Sequence, residues 1–301
     1  MALATECKPA VLPLPGGVEG ATVRVHPMLT GEMHAPPAWN ARPGGRLEPL
    51  QLLRQFVGPR GGWEWLPIPA FLVEHPGAGP LLIDTGLHPA CVSDVASNMG
   101  AVGRFVYRIK MEHDQALRVQ LPQRGVEPTQ IRVVIMTHLH IDHASAVSEF
   151  PAATFVVDAR EWEAADEGGA REGYHARQFD HAFDWRSVDY ESDPVQSFAG
   201  FAQSLDLFGD RSVRLVSTRG HTRGHQSVVL RTAGREVLVM GDAAYTIRSL
   251  HGESRPLLVT DGHLYQRSLK EIRRYLEQTP DALAIPGHDP DFWPTLEEVY
   301  G

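Results

Sequence analysis

The chain has little cysteine, little basic charge and no long apolar run, and each shortage removes a class of protein. Two cysteines in 301 residues, Cys7 and Cys91, cannot build a disulfide framework, and neither belongs to a Cys-x-x-Cys pair. The expectation is a reducing, cytoplasmic setting. Lys and Arg number 28 against 37 Asp and Glu, a formal charge of -9. Nucleic acids and anionic membranes are bound by neutralising their charge with basic patches, so neither is an expected partner. No stretch approaches the ~18 uninterrupted apolar residues of a membrane span. Residues 1–18 carry several prolines but no continuous apolar segment, so they do not read as a secretory signal. With 43% hydrophobic and 22% charged residues, the composition is that of a soluble globular chain able to bury a substantial core.

What is abundant is histidine, at 15 residues, and placement rather than number gives it meaning. Residues 1–65 are rich in Gly and Pro and predict a short strand near 23–25 joined by irregular loops. Strands are expected at 68–74 and 80–84 across the turn 76–79, then a helix over 114–123. Residues 131–136 form a β-branched apolar run suited to a buried strand. A strand at 154–157 leads to Asp158 as the N-cap of a helix over 159–165. Residues 168–209 are polar, aromatic and weakly periodic, and predict loops and helical turns that cover part of a site. Strands return at 213–217, 226–231 and 236–240. A helix over 264–278, a strand at 282–285 and a terminal helix over 295–300 complete the reading. The whole is expected as one domain, 1–301, with an irregular extension over 1–65 and an inserted region over 168–209. Strand groups followed by helices suggest sheets packed face to face with helices outside.

Directly after the buried run stand Thr137-His138-Leu139-His140-Ile141-Asp142-His143. In an extended chain, residues i and i+2 point the same way, so His138 and His140 approach one ion together. A following helical turn would carry Asp142 and His143 toward a second. Imidazole and carboxylate suit zinc, and also iron, cobalt or manganese. Three later strand ends offer matching residues, each just after a glycine: His221 after Gly220, Asp242 after Gly241 and His288 after Gly287. Together they supply a third ligand for each ion and a carboxylate to bridge them.

This pattern resembles the metallo-β-lactamase-fold hydrolases over roughly 23–288. The resemblance implies a four-layer αβ/βα sandwich, an α/β fold with two metal ions, zinc for preference, at one edge. It places His138, His140 and His221 on one ion and Asp142, His143 and His288 on the other, with Asp242 bridging. In Ile83-Asp84-Thr85-Gly86, Asp84 would orient a ligand. The segment Gly241-Asp242-Ala243-Ala244-Tyr245 is similar to that of the N-acyl homoserine lactone lactonases, enzymes that quench bacterial signalling. There the tyrosine faces the substrate carbonyl and donates to its oxygen as charge develops. The implied chemistry is metal-assisted hydrolysis of an acyl lactone, with Tyr245 steadying the oxyanion and Asp142 carrying the proton to the leaving ring oxygen.

The sequence departs from that branch at Ala144-Ser145, where a glycine-containing pair is common, and at Arg219 and Arg223 around His221. Extra residues stand near 35–62 and 174–209. Met28, Trp63, Trp65, Phe105, Tyr107 and Met111 are candidates for an apolar channel, and the added apolar N-terminal residues point to a homodimer. His225 reads as a hydrogen-bonding neighbour of the site rather than a ligand. Alternatives are a hydrolase of the same fold acting on a thioester, a carboxylic ester or an organophosphate, which the two arginines keep open, and a non-catalytic metal-binding scaffold, which the complete ligand set disfavours.

Overall fold

The computed structural model describes residues 3–57, 62–106, 108–192, 194–252 and 254–301, with the backbone alone over 101–106. Its first sheet is made of β1 (Lys8–Pro9), β2 (Arg24–Ala35), β3 (Glu64–His75), β4 (Gly79–Ile83), β5 (Arg108–Lys110), β6 (Val133–Ile135), β7 (Thr154–Asp158) and β8 (Asp184–Val188). Across the sheet they run β1-β8-β7-β6-β4-β3-β2-β5. The second sheet holds β9 (Gln196–Phe198), β10 (Phe201–Asp206), β11 (Val213–Ser217), β12 (Gln226–Arg231), β13 (Glu236–Gly241) and β14 (Leu283–Pro286), in the order β14-β13-β12-β11-β10-β9. The helices are α1 (Glu48–Val57), α2 (Val95–Val106), α3 (Leu117–Gln123), α4 (Ala159–Gly168), α5 (Ala176–Phe179), α6 (Ile247–Leu250) and α7 (Gly262–Gln278).

The two-residue period of a strand explains how these elements layer. Leu72, Leu82, Val134, Phe155 and Val157 face α3, α4 and α5 and bury against Leu117, Leu121, Ala164 and Phe179. Their neighbours Val73, Leu81, Ile83, Ile135 and Val156 face the other sheet and meet Leu215, Val228, Leu230, Val237 and Val239. On the far side, Val229, Leu238 and Met240 pack on Tyr265, Leu269, Ile272 and Tyr275 of α7. Both central sheets are covered on both faces, which is why their strands read as continuous apolar runs. Helices, sheet, sheet and helix make the expected four layers.

Topology brings several chain segments to one edge. β4 and β6 are parallel, and β13 runs parallel to β14, while β11 and β13 each pair antiparallel to β12. The C-terminal ends of β11, β13 and β14 therefore share an edge of the second sheet. Those of β4 and β6 share an edge of the first.

Several expectations fail for identifiable reasons. The extension over 1–65 contains the twelve-residue β2 and the helix α1. Pro27 and Gly31 disguise β2, whose register with β3 shifts between Leu29 and Glu32 to accommodate them. The region 168–209 contributes β8, β9 and β10 to the two sheets. In β8 only Trp185 and Val188 are buried, so its mean hydropathy is flat, and pairing with β7 decides its conformation. The terminal helix is absent. A short 3-10 turn, Trp293–Thr295, stands there, and Tyr300 exchanges backbone hydrogen bonds with Val25.

Candidate metal centre

Each candidate ligand sits where a strand ends at the shared edge. β6 leads into 138–143, which forms tight turns rather than a helix, with the amides of His143 and Ala144 both donating to the carbonyl of His140 at 3.0 Å. β11, β13 and β14 deliver His221, Asp242 and His288. Gly241 has φ of 52°, and a Cβ there would lie 2.9 Å from His225 Nε2. A Cβ on Gly287 would lie 2.6 Å from Asp242 Oδ1. Glycine is thus required for these loops to approach each other.

The structure brings all seven predicted residues together, all buried. They form two groups, His138, His140, His221 and Asp242 in one and Asp142, His143 and His288 in the other, with donor atoms in each group within 4.8 Å of one another. Asp242 faces both. Its Oδ2 lies 3.1 Å from His221 Nε2 and 3.7 Å from His138 Nε2. Its Oδ1 lies 3.1 Å from His288 Nε2 and 3.3 Å from His143 Nε2. Asp142 Oδ2 stands 3.4 Å from His288 Nε2.

The outer nitrogen of every histidine is already used. His143 Nδ1 donates to Asp84 Oδ2 at 2.8 Å, His288 Nδ1 to the Pro67 carbonyl at 2.8 Å, and His221 Nδ1 to the Leu258 carbonyl at 3.0 Å. His140 is turned the other way, its Nε2 donating to the Glu172 carbonyl at 2.9 Å. Thr137 Oγ1 donates to Asp84 Oδ2, so it accepts from His138 Nδ1 at 3.0 Å. With the outer proton fixed, a neutral ring presents a lone pair inward. His140 Nδ1 and His221 Nε2 then face each other at 2.9 Å with no proton between them. His138 Nε2, His143 Nε2 and Asp242 Oδ1 are buried without a hydrogen-bond partner. Buried polar atoms rarely go unpaired, and converging lone pairs repel unless a cation lies between them. The donor set of imidazoles and carboxylates therefore fits two divalent transition-metal ions.

Electrostatics agrees. Burial holds His138 and His221 well below the ordinary histidine range and lowers His140. Burial also opposes charge on His143 and His288, but the carboxylates of Asp242 and Asp142 outweigh it and raise both. Burial would raise Asp242 in turn, yet His288, His143 and His221 keep it well below the usual carboxylate range. The pocket draws positive charge.

Around this cluster stand residues that orient it. Asp84, at a left-handed φ of 56°, accepts from the Thr137 amide and hydroxyl as well as from His143, the part expected of it. His225 Nε2 accepts from the Asp242 amide at 2.9 Å, so it orients the shared carboxylate and is not free to ligate. The three carbonyl acceptors have no sequence signal, since every residue carries one. Glu161, a buried helix residue touching two of the ligand loops, was not foreseen either; one glutamate in an amphipathic helix looks like any other.

Tyr245 is buried between the rings of His221 and His288, with centroids 5.4 and 5.1 Å away. Burial, then Asp242 and Asp142, push its hydroxyl well above the usual range, so it stays a proton donor. It shares the narrow mouth with Trp39, Ile141, Asp142 and Leu258. Four of the six expected channel residues are elsewhere. Met28 and Met111 are core, and Trp63 and Trp65 pack on His34. The Phe105 side chain and Tyr107 lie outside what the structure describes.

Comparison with known proteins agrees with this geometry. The family model described as the metallo-beta-lactamase superfamily matches residues 63–288. A relative from Azorhizobium caulinodans named N-acyl homoserine lactonase AttM is 31% identical over 240 residues, covering 78% of this chain and 87% of the relative. The AttM lactonase of Agrobacterium fabrum is also 31% identical, over 78% of this chain and 86% of its own. A solved N-acyl homoserine lactone hydrolase, with N-hexanoyl-L-homoserine at its catalytic metal centre, superposes with a TM-score of 0.72 at 23% identity, over 92% of this chain and 97% of that one. Fold, clustered ligands and sequence likeness together make this chain a member of the metallo-beta-lactamase superfamily.

Proposed function

We propose that the protein is a two-metal hydrolase that opens the lactone ring of N-acyl homoserine lactones. The observation that carries this reading is the position of Tyr245, a neutral phenol at the mouth of a carboxylate-bridged histidine cluster. The lactonases named above support the substrate class. In this reading His138, His140 and His221 hold one zinc ion and Asp142, His143 and His288 the other, with Asp242 between them.

Bound zinc would supply an activated water at neutral pH and an electrophile for the carbonyl. The chain's own residues do the rest. Trp39, Ile141 and Leu258 narrow the entrance and thin out bulk water around the ring. The Tyr245 hydroxyl donates to the carbonyl oxygen as negative charge grows there. Asp142 reaches the mouth, takes a proton from the attacking water and returns it to the departing ring oxygen. Arg219 and Arg223 do not form an anion pocket. Arg219 pairs with buried Asp158 at 3.1 Å, and Arg223 with Glu167 and Glu172. That engagement leaves neither arginine to bind an anionic substrate.

We read the whole of 1–301 as one domain, since the two sheets share a core. A cytoplasmic setting is supported by the free thiols Cys7 and Cys91; no described helix is long and apolar enough to cross a membrane. A homodimer is supported by the exposed apolar stripe Leu50, Leu53 and Phe56 on α1. The test is a pH-stat assay of acyl homoserine lactones of several chain lengths beside thioester, ester and phosphotriester substrates. Lactones should be turned over fastest, and Tyr245→Phe should slow them by about 100-fold with metal content unchanged. Faster thioester or phosphotriester turnover, or an unslowed Tyr245→Phe, would reject the reading.

A further inference from the structure

The two groups of ligands share Asp84, which holds His143 directly and His138 through Thr137, but their other supports come from different parts of the fold. His143 is fixed by Asp84 at the end of β4, and His288 by the Pro67 carbonyl in β3. Those supports belong to the interior of the first sheet. The His138–His140–His221 group, beyond the Thr137 and Leu258 contacts of its outer nitrogens, leans on α4 and the turn that follows it.

Glu161 is the centre of that contact. It is fully buried in α4. Its Oε1 accepts the Leu139 amide at 3.0 Å, and Leu139 stands between His138 and His140. Its Oε2 accepts the Gly224 amide at 3.1 Å, in the loop that carries His221. One carboxylate thus ties together the two loops that supply all three histidines of this group. The packing leaves no slack, since a Cβ on Gly224 would fall 2.1 Å from the Glu161 amide nitrogen. Both ends of α4 reinforce the tie. Asp158, its N-cap, pairs with Arg219 at 3.1 Å. Beyond its C-terminus, Glu172 pairs with Arg223 at 3.1 Å and offers its carbonyl to His140.

We propose that Glu161 is a positioning residue that sets the affinity of the His138–His140–His221 position for its ion, and leaves the Asp142–His143–His288 position to the sheet. The inference rests on the two-metal reading above and deepens it. The chemistry is specific to a carboxylate. Glu161 offers two oxygens to two amides, whereas glutamine keeps one acceptor and turns an NH2 group toward the other N–H. The loop so released would let its histidines drift from the shared donor geometry. Losing an outer partner of this kind weakens metal binding by about 10- to 100-fold.

The experiment loads wild type, Glu161→Gln and Arg223→Ala with zinc, then titrates zinc out with a chromophoric chelator while counting ions released per chain. The melting temperature of each metal-free protein is measured alongside. Wild type should release two ions in two steps. In Glu161→Gln one step should shift by about 10- to 100-fold toward easier release, and the other should stay. Arg223→Ala, at a partly exposed side chain and safe for folding, should move the same step by less, with the metal-free melting temperature unchanged. A two-ion wild type whose variants shift both steps equally, shift neither, or change only the metal-free melting temperature would overturn the role of Glu161 alone. A wild type that releases fewer than two ions would overturn the two-metal reading and this inference with it.

Discussion

Two buried clusters of histidine and aspartate sit at opposite edges of the same sandwich, and they are built on opposite principles. At the start of β4 and of β11, His75 meets Asp210 and Ser212. Its Nδ1 accepts the amides of Gly77 and Ala78 at 3.0 and 2.9 Å, so its Nε2 donates to Asp210 Oδ2 and Ser212 Oγ, both at 2.9 Å. Asp210 also accepts the amides of Val18 and Ser212. None of these three side chains is left with an unpaired buried atom. The trio has the residue types of a nucleophilic triad, yet Asp and Ser share one nitrogen and the other is spent on backbone, so the imidazole has no free lone pair to act as a base. It is a rivet that joins the two sheets and the N-terminal segment. At the candidate metal edge, by contrast, outer nitrogens are satisfied while the inner Nε2 atoms of His138 and His143 are not. The lesson is that saturation marks a structural histidine, and convergent unsatisfied lone pairs mark a functional one.

Three perturbations would break or sharpen this contrast. The largest effect should come from Asp242→Asn, which removes the one carboxylate facing both groups. Turnover should fall by roughly 1,000-fold or more, about 4 kcal/mol of barrier, together with metal content per chain. Retained activity with full metal would end the idea that Asp242 is shared. Next, His75→Ala should leave metal content and turnover per folded molecule intact but cost about 2–3 kcal/mol of stability in denaturant unfolding, because buried Asp210 and two amides lose their partner. Loss of bound metal in that variant would show that the two edges are coupled. The smallest effect concerns acid. Burial would raise Asp210, but its hydrogen bonds from Ser212 and the Val18 amide, and His75 beside it, hold it below the usual carboxylate range. The folded state then binds fewer protons than the unfolded one, so this contribution is fully present above an ordinary aspartate value of about 3.9 and is lost as pH falls through the lower folded value. Wild type should lose stability there more steeply than Asp210→Asn, and parallel curves would remove the aspartate from the rivet.

How much was legible depends on whether a residue's partner is written nearby. β11 and β12 were read at their observed bounds because alternate residues there bury on two faces and leave a continuous apolar run. β8 and β10 look like loop in the sequence because their polar positions face outward and their neighbours along the chain say nothing of β7 and β11, which hold them in register. α1 keeps an amphipathic pattern, with Leu50, Leu53 and Phe56 at helical spacing, that the surrounding Gly and Pro obscured. Among site residues, the ligands were visible through six crowded positions and three glycine-led strand ends. Glu161 was not, since nothing local distinguishes it.

By itself the sequence determined the candidate ligand set, the neighbouring Tyr245 and the type of fold. Those depend on residue identity and on short-range periodicity, which survive without coordinates. Tertiary structure alone decided that Asp242 turns one oxygen to each group, that each histidine spends its outer nitrogen on a partner 32 or more residues away or on a residue beside it, and that Met28 and Met111 belong to the core. The physical reason is that a lone pair's direction is set by what holds the far side of the ring. Here those holders are carbonyls and carboxylates brought close only when the two sheets close on each other.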